Sequence, residues 1–462
     1  MKRELPENHP SVSDTAQPCP YLQGFPGETN SVIKSLGPAN QGKVPNALFY
    51  AVLLSVLAVA LVIPTLPKVT EELGGSSLHI GLVGTLYGLS QLLGSNFLGP
   101  ASDSRGRKPI LLLSFLGGAL GYFMIYVAMT YESLTLLLMS RIPVGIFMQT
   151  MTMARSIVSD CSNASSRARA LAKNAGVPAG LGFIVGPMVG GILSSKMPLV
   201  PPLLATFLFC VAFVLSYFNI PETAPVKRMT KKMISSEKKE SAENNMSITN
   251  MITRLLYHHV FASKIFLARS IVMLAYLMMQ SSFHVFAYRR MNLETRSIGL
   301  VLTYCGIVSV SVDFFVIPYF HRRFGNRLSS QEEQLLVTMS ALCLCVALIA
   351  MAMSTAMPSF LISIVPLASS STLFKRNVMS LLTKCVPAEE VGTITGMANA
   401  FDSMCRIVAP ALAGVLMEYS GVSSALLFGA FLSALGSFSF HLISKHAESI
   451  SSSSKAVLEK EK

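Results

Sequence analysis

The chain has 462 residues, is 51% hydrophobic and only 13% charged, and carries a formal net charge of +13. Those proportions exclude an ordinary soluble domain and fit a polypeptide that crosses a bilayer many times. On a soluble fold the positive excess would point to nucleic acid, but these cations sit between apolar runs, where membrane topology accounts for them.

Residues 1–44 are rich in Pro, Ser, Asn and Gly and show no cleavable signal pattern. They read as a disordered cytoplasmic tail, and the first apolar run then serves as an uncleaved anchor. About twelve runs of bilayer length follow. They lie near 45–66, 79–99, 109–129, 133–155, 172–194, 199–220, 264–287, 297–319, 333–353, 358–382, 393–416 and 422–443. The predicted fold class is all-α, with two six-helix bundles over 45–220 and 264–444. Between them, 221–263 is rich in Lys, Glu, Ser and Asn and reads as a cytoplasmic linker with one amphipathic helix near Ile252–His259. Residues 445–462 read as a second cytoplasmic tail.

One set of loops carries Arg105, Arg107 and Lys108, then Arg167 and Arg169, then Lys227, Arg228, Lys231 and Lys232, then Arg322, Arg323 and Arg327. The alternate loops hold little beyond Lys68 and Lys196, apart from one with Arg289, Arg290 and Arg296. The balance places both termini in the cytoplasm. The sequons at Asn163 and Asn245 then face the cytoplasm, where they escape glycosylation. The eight cysteines show no metal-ligand spacing, and Cys210, Cys305, Cys343 and Cys345 lie inside apolar runs as packing residues.

The short loop Gly99-Pro100-Ala101-Ser102-Asp103-Ser104-Arg105-Gly106-Arg107-Lys108 joins the second and third runs. It resembles the signature loop of the major facilitator superfamily, Gly-x-x-x-Asp-Arg-x-Gly-Arg-Lys, with matches at Gly99, Asp103, Gly106, Arg107 and Lys108. The usual Arg after the Asp is Ser104, with Arg105 one place later. The resemblance implies a conformational latch in which Arg107 pairs with Asp160, Arg167 lies on the next loop, and Asp103 sits near the start of a second-half helix. Such exposed pairs are weak enough to reverse, at about 0–1 kcal/mol each. Plain topology-setting charges are the other reading.

In the fifth run Gly182, Gly186 and Gly190 share one helical face, and Pro187 bends the helix beside it. With Gly191 they resemble the antiporter motif of drug/proton members of the same superfamily, although Lys173 replaces its upstream Gly. A small-residue packing seam is the structural alternative. Gly186-Pro187-Met188-Val189-Gly190-Gly191 is echoed by Ala409-Pro410-Ala411-Leu412-Ala413-Gly414 in the eleventh run, and Pro143 by Pro366, as expected of repeated halves. Pro64 and Pro67 in the first run, and 391–396 leading into Arg406, resemble the tetracycline-transporter-like branch.

Arg141 and Gly145 resemble the family's fourth-helix motif Arg-x-x-Gln-Gly, with Val144 in place of Gln. A cation there costs about 2.5–3.5 kcal/mol on insertion scales, so it faces either a wet cavity or a helix-fixing partner. Asp313 has no partner in its own run and is the first candidate for a protonatable coupling group. Asp402 and Arg406 are four residues apart, which permits a self-neutralising pair or a cavity role. His284, Gln149 and Gln280, with Gln91, complete the candidate cavity groups. No acidic residue lies deep in the first six runs, and the cationic bias inside the bundle points to organic anions.

The resemblance thus implies a non-enzymatic secondary active transporter that moves a small organic solute by alternating access, coupled to protons. A transporter-shaped sensor or scaffold is the alternative. No phosphate loop, metal cluster or nucleophile–base set is legible, so no cofactor, metal or nucleic-acid partner is expected. The expected state is a monomer in the lipid bilayer, of the plasma membrane or of an organelle.

Overall fold

The computed structural model describes residues 44–223, 260–316, 319, 330–387 and 390–460. Among them there is no strand, and twelve helical spans account for almost all of the described residues. They are α1 (Asn46–Glu72), α2 (Ser77–Arg105), α3 (Arg107–Thr130), α4 (Leu134–Cys161), α5 (Ser166–Lys196) and α6 (Val200–Asn219). The second six are α7 (Val260–Arg289), α8 (Thr295–Val316), α9 (Ser330–Met353), α10 (Met357–Lys384), α11 (Val391–Ser420) and α12 (Ser424–Lys460). The predicted linker helix near Ile252–His259 and the cations at 227–232 and 322–327 fall outside the described residues. The helix that begins at Ser424 spans in its apolar part to Lys445 and continues as helix to Lys460.

Among the described residues, eleven helices are long and apolar enough to cross a membrane. The remaining span, α2, has 29 residues but is diluted by Gly, Ser and a charged last turn. That composition follows from its position, because its small residues carry the contact between bundles. Several helices bend where their sequence demands it. Pro64 and Pro67 remove backbone donors from α1, which tightens into a 3₁₀ turn at Ile63–Thr65. Between its two segments, α4 loses regular helix at Met148 and Gln149. α5 and α8 each contain a π turn, at Ala172–Gly176 and Val312–Val316.

Each set of six helices has its own apolar core. Leu48, Phe115, Leu137, Ile157 and Phe209 anchor the first, and Ile265, Phe286, Leu348, Phe360 and Phe440 anchor the second. Large apolar side chains such as Phe97, Phe207, Phe218 and Phe431 point outward, as a protein solvated by lipid requires.

The bundles meet along two helix pairs, α2 with α11 and α5 with α8. Both crossings depend on absent side chains. A Cβ built on Gly81 would strike the Pro410 carbonyl oxygen and stand 3.1 Å from Gly414 Cα. A Cβ on Gly299 would strike the Pro187 carbonyl oxygen and stand 3.0 Å from Gly191 Cα. The two seams are thus the same device used twice, a helix proline and the glycine four residues later receiving a glycine from the opposite bundle. Along α2 and α11 the contacts run from Gly81 against Gly414 to Gly88 against Arg406, and the helical repeat carries the same two faces on to Gly99 and Gly396. Gly99 and Gly396 have nothing within 4 Å of a built Cβ, so the helices have diverged by that level. The bundles therefore close at the Ser77 end of α2 (the far face) and part towards the loop at Gly106 (the loop face).

Candidate solute pathway

The far face is closed by polar contacts as well as glycines. Arg289, at the end of α7, donates to Glu71 of α1 and to Ser77 Oγ of α2, both in the other bundle. Glu418 of α11 accepts from the Ser77 backbone N–H at 3.0 Å, where an anion suits the positive end of α2. About two turns deeper Thr85 Oγ1 donates to the Ile407 carbonyl at 3.0 Å, and Thr303 Oγ1 to the Ile184 carbonyl at 2.7 Å. In sequence, Arg289 stood out as an exception to the cation pattern. Its fold partner is an acid at the end of the first span, so the cation serves a seam.

Below the seam the two bundles bring cations to one level. The close approach at Gly145 sets α4 against Tyr87 and Ser90 of α2, and Gly88 sets Arg406 of α11 against the same turn. Tyr87 lies within electrostatic reach of both Arg141 and Arg406, and Tyr122 within reach of Arg141. Arg141 is 4% exposed; its Nε donates to Ser140 Oγ at 3.3 Å, whereas Nη2 is buried without a partner. Gln149, at the break in α4, accepts from Thr152 at 3.4 Å and leaves Nε2 buried and unmet. Gln91 donates to the Tyr87 hydroxyl at 3.2 Å.

The second-half acids separate. Asp402 does not pair with Arg406. It takes a bidentate bond from Arg269 of α7, at 3.0 and 2.8 Å, which leaves Arg406 exposed and within electrostatic reach of Tyr87. Sequence reading overlooked Arg269, although a cation inside the seventh apolar run was its signal. Asp313 is exposed in the π turn of α8, on the face that carries Leu302, Gly306 and Ser309.

Those three α8 residues line a cavity of about 390 Å³ between α5, α7, α8 and α10. His284 and Gln280 also line it, and His284 Nδ1 is buried without a partner. The glycines of α5 serve two neighbours. Gly182, Gly186 and Gly190 face Val56, Ala60 and Leu61 of α1, while Gly191, next to Gly190, forms the α8 crossing.

At the loop face, Arg107 bonds Asp160 at 3.2 Å and Asp103 at 2.7 Å, both within the first bundle. Arg107 Nη1 also donates to Ser102 Oγ at 2.7 Å. Asp103 is 67% exposed on its side chain, and Arg167 stays exposed. Ser104 turns back onto its own helix, donating to the carbonyls of Pro100 and Ala101. Gly106 adopts φ 109°, and the Glu222 carboxylate sits where a side chain would project. Glu222 accepts from the first N–H groups of α3, Arg107 at 2.8 Å and Lys108 at 3.2 Å, while Lys108 Nζ donates to the Tyr217 carbonyl at 2.7 Å. This clasp from the end of α6 was legible only as an acid after the sixth run.

The chain is similar to proteins that share this architecture. It is 27% identical over 361 residues to solute carrier family 22 member 18 of Rattus norvegicus, covering 78% of this chain and 84% of that protein. It is 25% identical over 370 residues to the class H tetracycline resistance protein of Pasteurella multocida, covering 79% and 87%. The crystal structure of the human organic anion transporter MFSD10 (TETRAN) superposes with a TM-score of 0.60 at 18% identity, over 87% of this chain and 99% of that one. The sequence profile of the Major Facilitator Superfamily matches residues 48–401, and the chain belongs to that superfamily of membrane transporters.

Proposed function

We propose that the protein is a secondary active transporter that moves a small organic anion by alternating access, coupled to protons. The observation that carries this reading is the pair of guanidiniums, Arg141 from one bundle and Arg406 from the other, flanking Tyr87 with one Arg141 amine unmet. Two cations brought to one tyrosine from separate bodies make that level positive, and an anion bound between them draws the bodies together. A solute anion thus favours the arrangement in which the loop-face ends of α2 and α11 come together. Closing there requires the far seam to part, because each bundle, 45–220 and 264–444 joined by 221–263, moves as a unit.

The loop face is the cytoplasmic one in this reading, with both termini on that side and the Arg107–Asp160–Asp103 group resting on the first bundle until closure. Asp402 is held by Arg269, which leaves Asp313 as the acid that takes and gives the proton. The name of the tetracycline resistance protein supports a small organic compound as cargo, and that of the human organic anion transporter supports an anionic one. Glycine-mediated seams closed on one face only support a moving carrier over a static scaffold.

The test is uptake of radiolabelled organic anions and cations into proteoliposomes under an imposed pH gradient. Anion flux that follows the gradient is expected, and Asp313→Asn should abolish the gradient stimulation. Absence of gradient-dependent flux across the panel, or flux of cations alone, would refute the reading.

A further inference from the structure

The cavity between α5, α7, α8 and α10 differs in chemistry from the Arg141–Tyr87–Arg406 level. Its walls are mostly apolar and include Phe183, Met279, Phe283 and Leu367. No acidic residue lines it. Its volume of about 390 Å³ falls within the range of about 300–1,000 Å³ typical of small-molecule pockets. An apolar hollow alone would hold any greasy group, but this one has a polar address. His284 lines it, and the ring's Nδ1 is enclosed by protein, which leaves the rest of the imidazole as the polar group of the wall. At the rim, Lys375 Nζ lies 4.2 Å from the centroid of the Tyr276 ring, and Tyr276 lines the cavity. Lys375 shares the helical face of Ile364, Ala368 and Ser371, one turn beyond the last of them. A cation stacked on an aromatic wall is held in place while its outer face stays able to bind an anion.

We propose that this cavity receives the ring of an aromatic monocarboxylic acid, with the carboxylate at Lys375 and a polar ring substituent at His284. The proposal rests on the transport reading above and names its substrate class, the cavity being the subsite the acid occupies before its carboxylate passes to the Arg141–Arg406 level. It accounts for the apolar walls, the imidazole in the wall and the rim cation together, which neither a purely aliphatic acid nor a neutral aromatic would do.

The chain contains no tryptophan, so Phe183→Trp installs a single fluorophore in the cavity wall. Phe183 is 49% exposed, which leaves room for the larger ring. In the full-length protein in detergent, 4-nitrobenzoate should quench this fluorophore saturably. Competition is expected from 2-naphthoate and not from butyrate or 4-nitrobenzyl alcohol at equal concentration. Lys375→Gln should weaken 4-nitrobenzoate at least tenfold, and Ser309→Phe, which fills the cavity, should remove saturable quenching. Should the tryptophan variant misfold, the thermal midpoint of the unmodified protein is read instead. 2-Naphthoate should raise it and butyrate should not. Linear quenching, equal competition by butyrate, equal thermal shifts or indifference to Lys375→Gln would each overturn the proposal. Saturable 4-nitrobenzoate binding without gradient-driven flux would refute the transport reading and leave this assignment standing. Gradient-driven flux of aliphatic acids with linear quenching would do the reverse.

Discussion

The two ends of the bundle interface are built from opposite materials. At the far face, backbones meet through Gly81, Gly191, Gly299 and Gly414, and Arg289 reaches across to Glu71 and Ser77. At the loop face, Arg107 forms ion pairs inside one bundle, half-buried with Asp160 and open to solvent with Asp103, while Gly99 and Gly396 stand apart. The difference teaches where this conformation stores its stability. Close packing forfeits much of its dispersion energy after a shift of about 0.5–1 Å, so a glycine seam behaves as an on–off contact. Exposed ion pairs are worth about 0–1 kcal/mol each and can exchange partners freely.

The largest expected effect comes from breaking the packed end. Gly81→Leu or Gly299→Leu places a side chain onto the Pro410 or Pro187 carbonyl and should hold the far seam open. In a background without native cysteines, a thiol at Thr85 should then react with a membrane-impermeant maleimide at least tenfold faster. Next, Arg141→Lys should lose at least nine-tenths of solute flux, because an ammonium cannot reproduce the planar fork set beside Ser140 and Tyr87. Arg289→Ala should lower unfolding stability by about 1–2 kcal/mol, read from detergent-solubilised thermal unfolding, since a half-buried ionic contact across the bundles disappears. The smallest effect belongs to the loop face. Asp103→Ala should change stability by less than about 0.5 kcal/mol while slowing flux, because its ion pair is exposed in this state.

Much of the fold was readable because bilayer thickness sets the length of every apolar run. The signal was weakest in α2, where glycines and serines needed for the seam lower the hydropathy that marks a span. The proline–glycine echo of α5 and α11 was legible, but its partners Gly81 and Gly299 were not, since nothing local says which glycine meets which carbonyl. The same limit applies to charges. Spacing on one helix offered Arg406 to Asp402, whereas packing delivered Arg269 from 133 residues away. Arg289 and Glu71, 218 residues apart, likewise had no sequence relation to reveal them.

The central claim is that the two faces exchange roles. Spin labels at Gly99 and Gly396 report the loop-face gap, and a second pair at Leu73 and Tyr419 reports the far-face gap. Pulsed electron-spin distance measurements on both pairs, with and without 2-naphthoate across a pH titration, test that claim most directly. A population is expected in which the first distance shortens as the second lengthens. Two distances that never change, or that change in the same direction, would contradict it.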